Sequence, residues 1–150
     1  MTITPFLWFD TQAEEAMRFY ASVFKEARIL STNRAGGRVI SVEFELQGQK
    51  FMALNGGPQF TFSEAVSLFV GCETQEEVDD LWTKLTAAGG APGRCGWLKD
   101  RFGLSWQIVP KGLGAMLSDG DPAKAARVMN AMFTMNKLDL AQLRKAYDGE

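Results

Sequence analysis

The sequence contains no histidine, and its 150 residues include only two cysteines, Cys72 and Cys95. Histidine is the most common metal ligand in proteins and the side chain that most often acts as a general base. Several reaction classes that depend on these two roles are therefore not expected. We predict neither a metal nor a cofactor, and the residues at the possible metal site described below are the main reason for the prediction about the metal. Two cysteines in a chain without a secretion signal predict reduced thiols rather than a disulfide bridge.

Long apolar segments and an excess of one charge are also lacking. No apolar run approaches the roughly 20 residues of a membrane-spanning helix, and the N-terminal stretch MTITPFLWFD lacks the basic and apolar regions of a secretion signal. The 16 basic and 18 acidic residues give a net charge of −2, too small for a field that would attract nucleic acid. We expect a cytoplasmic protein with no nucleic-acid or membrane partner.

The chain does contain a pattern of apolar segments that occurs twice. In its first half, an apolar strand over residues 3–9 precedes a helix whose capping box is Thr11 with Glu14. This helix carries a single apolar stripe, which predicts that it packs on a sheet. Three further strands are predicted in this half, over residues 28–32, 39–46 and 50–54.

The second half repeats this order. A strand over residues 65–72 leads to a second capping box, Thr74 with Glu77, which lies 63 residues after the first. Strands near 93–98 and over 104–110 complete the unit. A repeat of this kind predicts an α+β fold made of two β-α-β-β-β modules.

Residues 121–150 follow a different pattern. Asp121 before Pro122 is a typical N-cap, and apolar residues at helical spacing predict one helix and then a second short helix. Methionines 129, 132 and 135 form an adaptable apolar surface that packs either on the same chain or on a partner subunit. We predict one domain over residues 1–150, with module one at about 1–58, module two at about 63–112 and a C-terminal helical segment at about 121–148.

Five segments of the chain carry a family resemblance: TPFLWFD, AEEAMRFY, FMALNGGPQF, FSEAVS and CGWLKDRFGLSWQI. Together they resemble the PhnB-like branch of the vicinal oxygen chelate superfamily, which includes glyoxalase I, extradiol dioxygenases and the bleomycin resistance proteins. The resemblance runs from about residue 3 to 147. It implies that the two modules curl their mixed sheets into a cup.

The resemblance also locates a possible metal site. In metal-dependent members of the superfamily, four side chains from the first and last strands of each module hold one divalent ion. The corresponding places here are Gln107, where such members keep a glutamate, and the neighbourhoods of Thr4, Ala53 and Ser67. A catalytic divalent ion needs carboxylate or imidazole donors, which these residues do not supply. Gln107 therefore either forms a hydrogen bond inside the protein or orients a polar group of a ligand, with a metal contact as the third alternative.

Strand alternation indicates which side chains line the cup. It places Ser105 and Gln107 on one face of the last strand, and Trp106 and Ile108 on the other face under the helix. An aromatic lining with few polar points favours an apolar or planar small-molecule ligand. The alternative is that the aromatic residues only fill a core. The predicted ligand-binding residues are Phe6, Trp8, Phe51, Asn55, Ser67, Phe69, Ser105 and Gln107.

Cys95 and Gln107 are the two candidates for a catalytic role. Cys95 follows Arg94, and a neighbouring cation favours a reactive thiol, although the chain has no histidine to assist it. A packed, unreactive thiol is the alternative. The cationic side chains of this region either attract an anionic ligand or lie on the solvated surface; they are Arg94, Lys99, Arg101 and Lys111.

Three functions are compatible with these features. The first is metal-free binding of a small molecule by a homodimer, and the second is a metal-independent lyase or isomerase, so whether the protein is an enzyme stays open. The third is a structural or regulatory homodimer that assembles through its C-terminal helices. Some relatives carry a name that implies demethylubiquinone methyltransferase activity. We do not expect that activity, because no glycine-rich loop leads from a strand into a helix as a methyl-donor site requires.

Overall fold

The order β-α-β-β-β occurs twice along the chain, as the sequence repeat predicts. The computed structural model describes residues 1–150 and separates them into two units, 1–62 and 63–150. Each unit contains one four-stranded mixed sheet, in which the first strand pairs in parallel with the last and the remaining pairs are antiparallel. The predicted α+β class and the two equivalent modules are confirmed.

In the first unit, the core lies between one helix and one face of the sheet. Met17 and Tyr20 of the helix and Val42 and Phe44 of the third strand are at most 1% exposed. Burying a large apolar side chain contributes about 1.5–3 kcal/mol, so this contact holds the unit together. The elements are β1 (Phe6–Phe9), α1 (Ala13–Val23), β2 (Ala27–Ala35), β3 (Arg38–Leu46) and β4 (Gln49–Asn55), in the sheet order β1-β4-β3-β2.

The second unit has the same arrangement. Its helix buries Val78 and Leu85, and its last strand buries Trp106 and Ile108 on the face toward that helix. The elements are β5 (Ser67–Cys72), α2 (Gln75–Thr86), β6 (Ala91–Pro92), β7 (Trp97–Lys99) and β8 (Ser105–Pro110), in the sheet order β5-β8-β7-β6. The strand predicted near 93–98 is thus two short strands, because Cys95 and Gly96 form a turn with φ values of 56° and 84°.

The C-terminal segment packs on the second unit. It contains α3 (Leu113–Leu117), which was not predicted, α4 (Pro122–Phe133) and α5 (Leu140–Asp148). Val128, Leu138 and Leu143 are fully buried in its own apolar cluster, together with part of Met132 and Met135. The Gln75 side chain on α2 clamps the segment, since it donates to the Leu138 carbonyl and accepts from the amide of Leu140. None of the five helices has the length and apolar character needed to cross a membrane.

The two predicted capping boxes have different outcomes. Thr74 caps α2 as predicted, because its Oγ1 accepts a 3.2 Å hydrogen bond from the amide of Glu77. The capping box of Thr11 and Glu14 is wrong. Helix α1 begins at Ala13 without a cap from its own N-terminal residues, and the carboxylate of Glu14 binds Arg18 and Arg34 instead. The two guanidinium groups hold the pKa of Glu14 below its ordinary value, with the hydrogen bond from Arg18 as the main cause.

Candidate functional site

The face of the second sheet that points away from α2 carries a row of three side chains. Phe69 on β5 pairs with Gln107 on β8, and Gln107 pairs with Trp97 on β7. Paired residues point to the same face of a sheet, so the three lie side by side across three strands. Trp97 was not among the predicted site residues. Its place in the row depends on the register of the short strand β7, and the sequence gives no signal for that register.

The row consists of two aromatic rings with an amide between them. Phe69 is 63% exposed, Trp97 is partly buried, and Gln107 is also partly buried. Neighbouring strands lie about 4.8 Å apart, so the two aromatic residues are attached about 10 Å from each other across the sheet. This spacing leaves the Gln107 amide reachable between two apolar surfaces.

The side chain of Gln107 forms one hydrogen bond, a 2.9 Å contact in which its Nε2 donates to the Oγ of Ser67. The bond joins β8 to β5 on this face and confirms that Gln107 has a structural partner inside the protein. The second N–H and the carbonyl oxygen of the amide remain available for further hydrogen bonds. Ser67 likewise keeps its own O–H as a donor. The pair can therefore hold itself in place and still offer polar contacts.

Ser105 lies on the same face but is only 1% exposed. Its Oγ has no hydrogen-bond partner in the protein. A ligand on this face does not reach a hydroxyl buried to that extent, so Ser105 belongs to the floor beneath the row rather than to the contact surface. Lys99, its neighbour on β7, forms an ion pair with Glu64.

A buried carboxylate lies in the turn between β7 and β8, the strands that carry Trp97 and Gln107. Asp100, 2% exposed, accepts hydrogen bonds from the amides of Phe102 and Leu104 and from Nε1 of Trp106. These bonds close the turn between β7 and β8 and anchor the ring of Trp106 in the core. A buried carboxylate is costly unless it is hydrogen-bonded, so these bonds stabilise the turn that connects β7, which carries Trp97, to β8, which carries Gln107.

In the first sheet the predicted lining divides between two faces. β1 pairs with β4 so that Leu7 and Phe9, rather than Phe6 and Trp8, share the face of Phe51 and Asn55. Phe51 is 5% exposed in the core. The expectation that Phe51 and Asn55 line a common surface with Phe6 and Trp8 is therefore corrected, because the register of the parallel pair differs by one residue from the assumed one.

Asn55 and Trp8 both have structural partners. The Asn55 side chain accepts a 2.8 Å hydrogen bond from the amide of Ala13 and donates to the carbonyl of Val39. Trp8 donates from Nε1 to the carbonyl of Gly57 and meets the ring of Phe60 edge-on at 5.1 Å. Phe6, by contrast, is 53% exposed.

The donors at the four metal-equivalent positions do not fit a divalent ion. Ala53 has no donor atom and is fully buried, and Ser67 and Gln107 are hydrogen-bonded to each other. Thr4 could offer only a neutral hydroxyl. Hard divalent cations need carboxylate oxygens for charge neutralisation. No three cysteine, aspartate or glutamate side chains come together elsewhere in the chain in a group that could hold a metal.

The two thiols lie in different environments. Cys72 is buried, and desolvation raises the pKa of its thiol to about 11, with a smaller effect of the Glu77 charge. Cys95 is partly exposed in the turn between β6 and β7. Its amide donates to the carbonyl of Met135 in the C-terminal segment.

The four cationic side chains singled out in the sequence have interaction partners within the second unit. Arg94 donates to the carbonyl of Phe133, Lys99 pairs with Glu64, and Lys111 pairs with Glu73. The guanidinium of Arg101 lies 4.9 Å from the ring centre of Phe102. These partners favour the solvated-surface interpretation over an anion site.

The first unit contains an open groove of about 840 Å³ beside the N-terminus of α1. Its polar side chains include Glu14 and Asn55, which already bind other groups of the protein. We favour the row on the second sheet over this groove, because the polar atoms of Gln107 and Ser67 remain available. The groove is lined by Asp10, Thr11, Glu14, Glu15, Arg18, Arg38, Val39, Ile40 and Asn55.

Comparisons with known proteins agree with this architecture. A family model described as 3-demethylubiquinone-9 3-methyltransferase matches residues 1–109. The PhnB protein from Bacillus cereus is 40% identical, with a TM-score of 0.68, over 73% of this chain and 99% of its own. A glyoxylase/bleomycin resistance protein/dioxygenase domain from Frankia is 16% identical, with a TM-score of 0.52, over 75% of this chain and 94% of its own, and shows the same fold. No curated protein matches the chain.

Proposed function

We propose that this chain is a metal-free protein that binds a small planar molecule. The chain belongs to the family described as 3-demethylubiquinone-9 3-methyltransferase, and it has the glyoxalase/bleomycin-resistance fold. The observation that carries the proposal is the row of Phe69, Gln107 and Trp97 on the second sheet. An exposed aromatic ring beside an incompletely satisfied amide is typical of a site that combines apolar contact with a few orienting hydrogen bonds.

Binding is favoured over catalysis by the chemistry of the row. Gln107 and Ser67 can donate and accept hydrogen bonds, but neither titrates near neutral pH and neither can serve as a general base. A metal-independent lyase or isomerase would need an additional proton acceptor near the ligand. The row itself supplies orientation and apolar surface.

The methyl transfer named in the family description has no supporting feature in the fold. A methyl-donor site of the nucleotide type uses a glycine-rich turn between a strand and a helix of a doubly wound sheet. Three connections lead from a strand into a helix here. Asp10-Thr11-Gln12 and Glu73-Thr74 contain no glycine, and Lys111-Gly112 contains a single glycine before the five-residue helix α3. The sheets are mixed, with a single parallel pair in each. We therefore assign the chain to the family without assigning that reaction.

A panel of planar aromatic compounds tests the proposal by thermal denaturation. A ligand at about 100 times its Kd stabilises a fold by roughly 2.7 kcal/mol, which corresponds to a rise in Tm of about 5–10 °C for a chain of this size. Phe69→Ala should remove the shift, and Leu30→Ala should retain it, because Leu30 is an exposed apolar residue on β2, a strand that carries no part of the row. A panel without any shift, or shifts that are equal in both variants, would contradict the proposal.

A homodimer in the cytoplasm completes the proposed function. Met129 and Phe133 on α4 are 42% and 51% exposed, which supports contact with another subunit through this helix. Replacing both residues by lysine should convert a dimer into a monomer in sedimentation measurements without loss of helical content. An unchanged mass would place the subunit contact elsewhere or show that the chain is monomeric.

A further inference from the structure

We infer that the ligand bound on the second sheet carries a hydrogen-bond donor and an acceptor on adjacent atoms of one flat edge, as in a lactam, a cyclic imide or a nucleobase. The inference rests on the proposed function and specifies the chemical class of the ligand. It follows from the hydrogen bonds that Gln107 makes and from the residues that flank it.

The Gln107 amide has one donor and one acceptor left. A carboxamide offers two N–H groups and one carbonyl oxygen. One N–H is used on Ser67 Oγ, and no other side-chain hydrogen bond is present at Gln107 in residues 1–150. A cis-amide edge is complementary to what remains, because its N–H donates to Oε1 while its carbonyl accepts from Nε2. Amide side chains recognise the edge of adenine by the same two-bond pairing.

Ser67 fixes the direction in which this amide is presented. Its hydroxyl holds Nε2 of Gln107 at 2.9 Å on the side of β5. The carbonyl oxygen is bonded to the same carbon as that nitrogen and therefore points away from Ser67. A ligand edge is then accepted in one orientation, with its donor on the Oε1 side and its acceptor on the Nε2 side.

Phe69 and Trp97 account for the flat shape. Their attachment points are about 10 Å apart across the sheet, and carbon atoms in contact are separated by about 3.5–4.0 Å. One aromatic ring standing on its edge between the two side chains can therefore contact both. The edge that it presents to the sheet faces Gln107, which lies between them. Two lysines lie near the row on this face, Lys99 on β7 and Lys111, whose side chain lies beside the Phe69 ring at Gly71. Lys99 is paired with Glu64 and Lys111 with Glu73, so the site favours a neutral ring.

The test compares 2-quinolone with N-methyl-2-quinolone by isothermal titration calorimetry. The two compounds have nearly the same shape, but the second lacks the N–H that should donate to Gln107 Oε1. The protein should bind 2-quinolone about tenfold more tightly, as expected for one additional hydrogen bond. Gln107→Met should abolish this preference, and Leu30→Ala, a change outside the row, should retain it.

Different failures of this experiment have different meanings. If the two quinolones bind the protein equally and both lose affinity in Phe69→Ala, the inferred ligand class is wrong and the proposed function stands. Naphthalene is a planar compound without hydrogen-bonding groups. If neither quinolone nor naphthalene binds, the inferred ligand class and the proposed binding of planar molecules are both contradicted. These outcomes can be separated in one set of titrations with folded variants, checked by circular dichroism.

A second variant reverses the expected specificity. In Gln107→Glu the ionised carboxylate offers only acceptors. In mildly acidic buffer 2-aminoquinoline is protonated at its ring nitrogen and presents two N–H donors along the same edge. Under these conditions this variant should prefer 2-aminoquinoline over 2-quinolone, whereas the protein itself should show the opposite order, because two donors leave the remaining N–H of Gln107 without an acceptor. An unchanged order in Gln107→Glu would show that residue 107 does not contact the ligand edge and would overturn the inference.

Discussion

Asn55 accepts a 2.8 Å hydrogen bond from the backbone amide of Ala13, so the last residue of β4 caps the first turn of α1. The first four amides of a helix have no partner within the helix. Here a side chain 42 residues away satisfies one of them, and the same side chain also ties β4 to the carbonyl of Val39. Asn55 is therefore part of the framework of the first unit.

Asn55→Ala should lower the free energy of unfolding by about 1–2 kcal/mol, the usual effect of removing a helix cap. Urea denaturation followed by circular dichroism measures the change. Thr11→Ala is the matched control, since Thr11 forms the apparent capping box in the sequence but does not cap the helix. If Thr11→Ala is the more destabilising substitution, the cap has been assigned to the wrong residue.

Asp100→Asn tests the buried carboxylate beneath the row. The substitution replaces one oxygen that accepts from Phe102, Leu104 or Trp106 by an N–H donor, and leaves a buried donor without its acceptor. The expected loss of stability is about 1–3 kcal/mol. Asp80→Asn, at an exposed helix position paired with Lys84, should change stability by less than about 1 kcal/mol. Equal effects of the two substitutions on the urea midpoint would argue against an anchoring role for Asp100.

Gly56→Ala should displace the indole of Trp8. A Cβ at position 56 would lie 2.2 Å from Cζ2 of Trp8, far inside van der Waals contact. Overpacking of this kind costs typically about 1–3 kcal/mol, and the tryptophan emission should shift as the ring moves. Gly114→Ala introduces a Cβ with no neighbour within 4 Å, in helix α3, and should be neutral or stabilising by up to about 1 kcal/mol. A stable Gly56→Ala protein with unchanged emission would contradict the packing of Trp8 on this loop.

The two cysteines should react at different rates with Ellman's reagent. Only thiolates react, and burial keeps the Cys72 thiol protonated by raising its pKa to about 11. At pH 8 the folded protein should therefore release one equivalent of product from Cys95, and the unfolded protein two. Cys95→Ser should abolish the reaction of the folded protein, and two rapid equivalents from the native protein would show that Cys72 is accessible.

Short-range signals predicted those parts of the fold that depend on neighbouring residues. Thr74 caps α2 and Asp121 caps α4, because in both cases the acceptor and the amide that it binds lie within a few residues. The alternation of β8 placed Gln107 opposite Trp106 and Ile108, and the register with β5 agrees with that assignment. The repeated order of elements was visible for the same reason, since each module has its own local pattern.

Long-range pairing decided the rest. Whether Phe51 shares a face with Phe6 or with Leu7 depends on how β1 aligns with β4, and a shift of one residue moves every side chain to the other face. No property of either strand alone specifies that alignment, which follows from the packing of Leu7, Phe9 and Phe51 in the core under α1.

The sequence by itself determined the two modules, the family resemblance and the position of Gln107 on the open face of the second sheet. Only the tertiary structure decided its neighbours: Ser67 as its hydrogen-bond partner, and Phe69 and Trp97 on either side. The physical reason is that element type and strand alternation are encoded over a few residues, whereas the contacts of a side chain on a sheet depend on the register of strands that are distant in the chain.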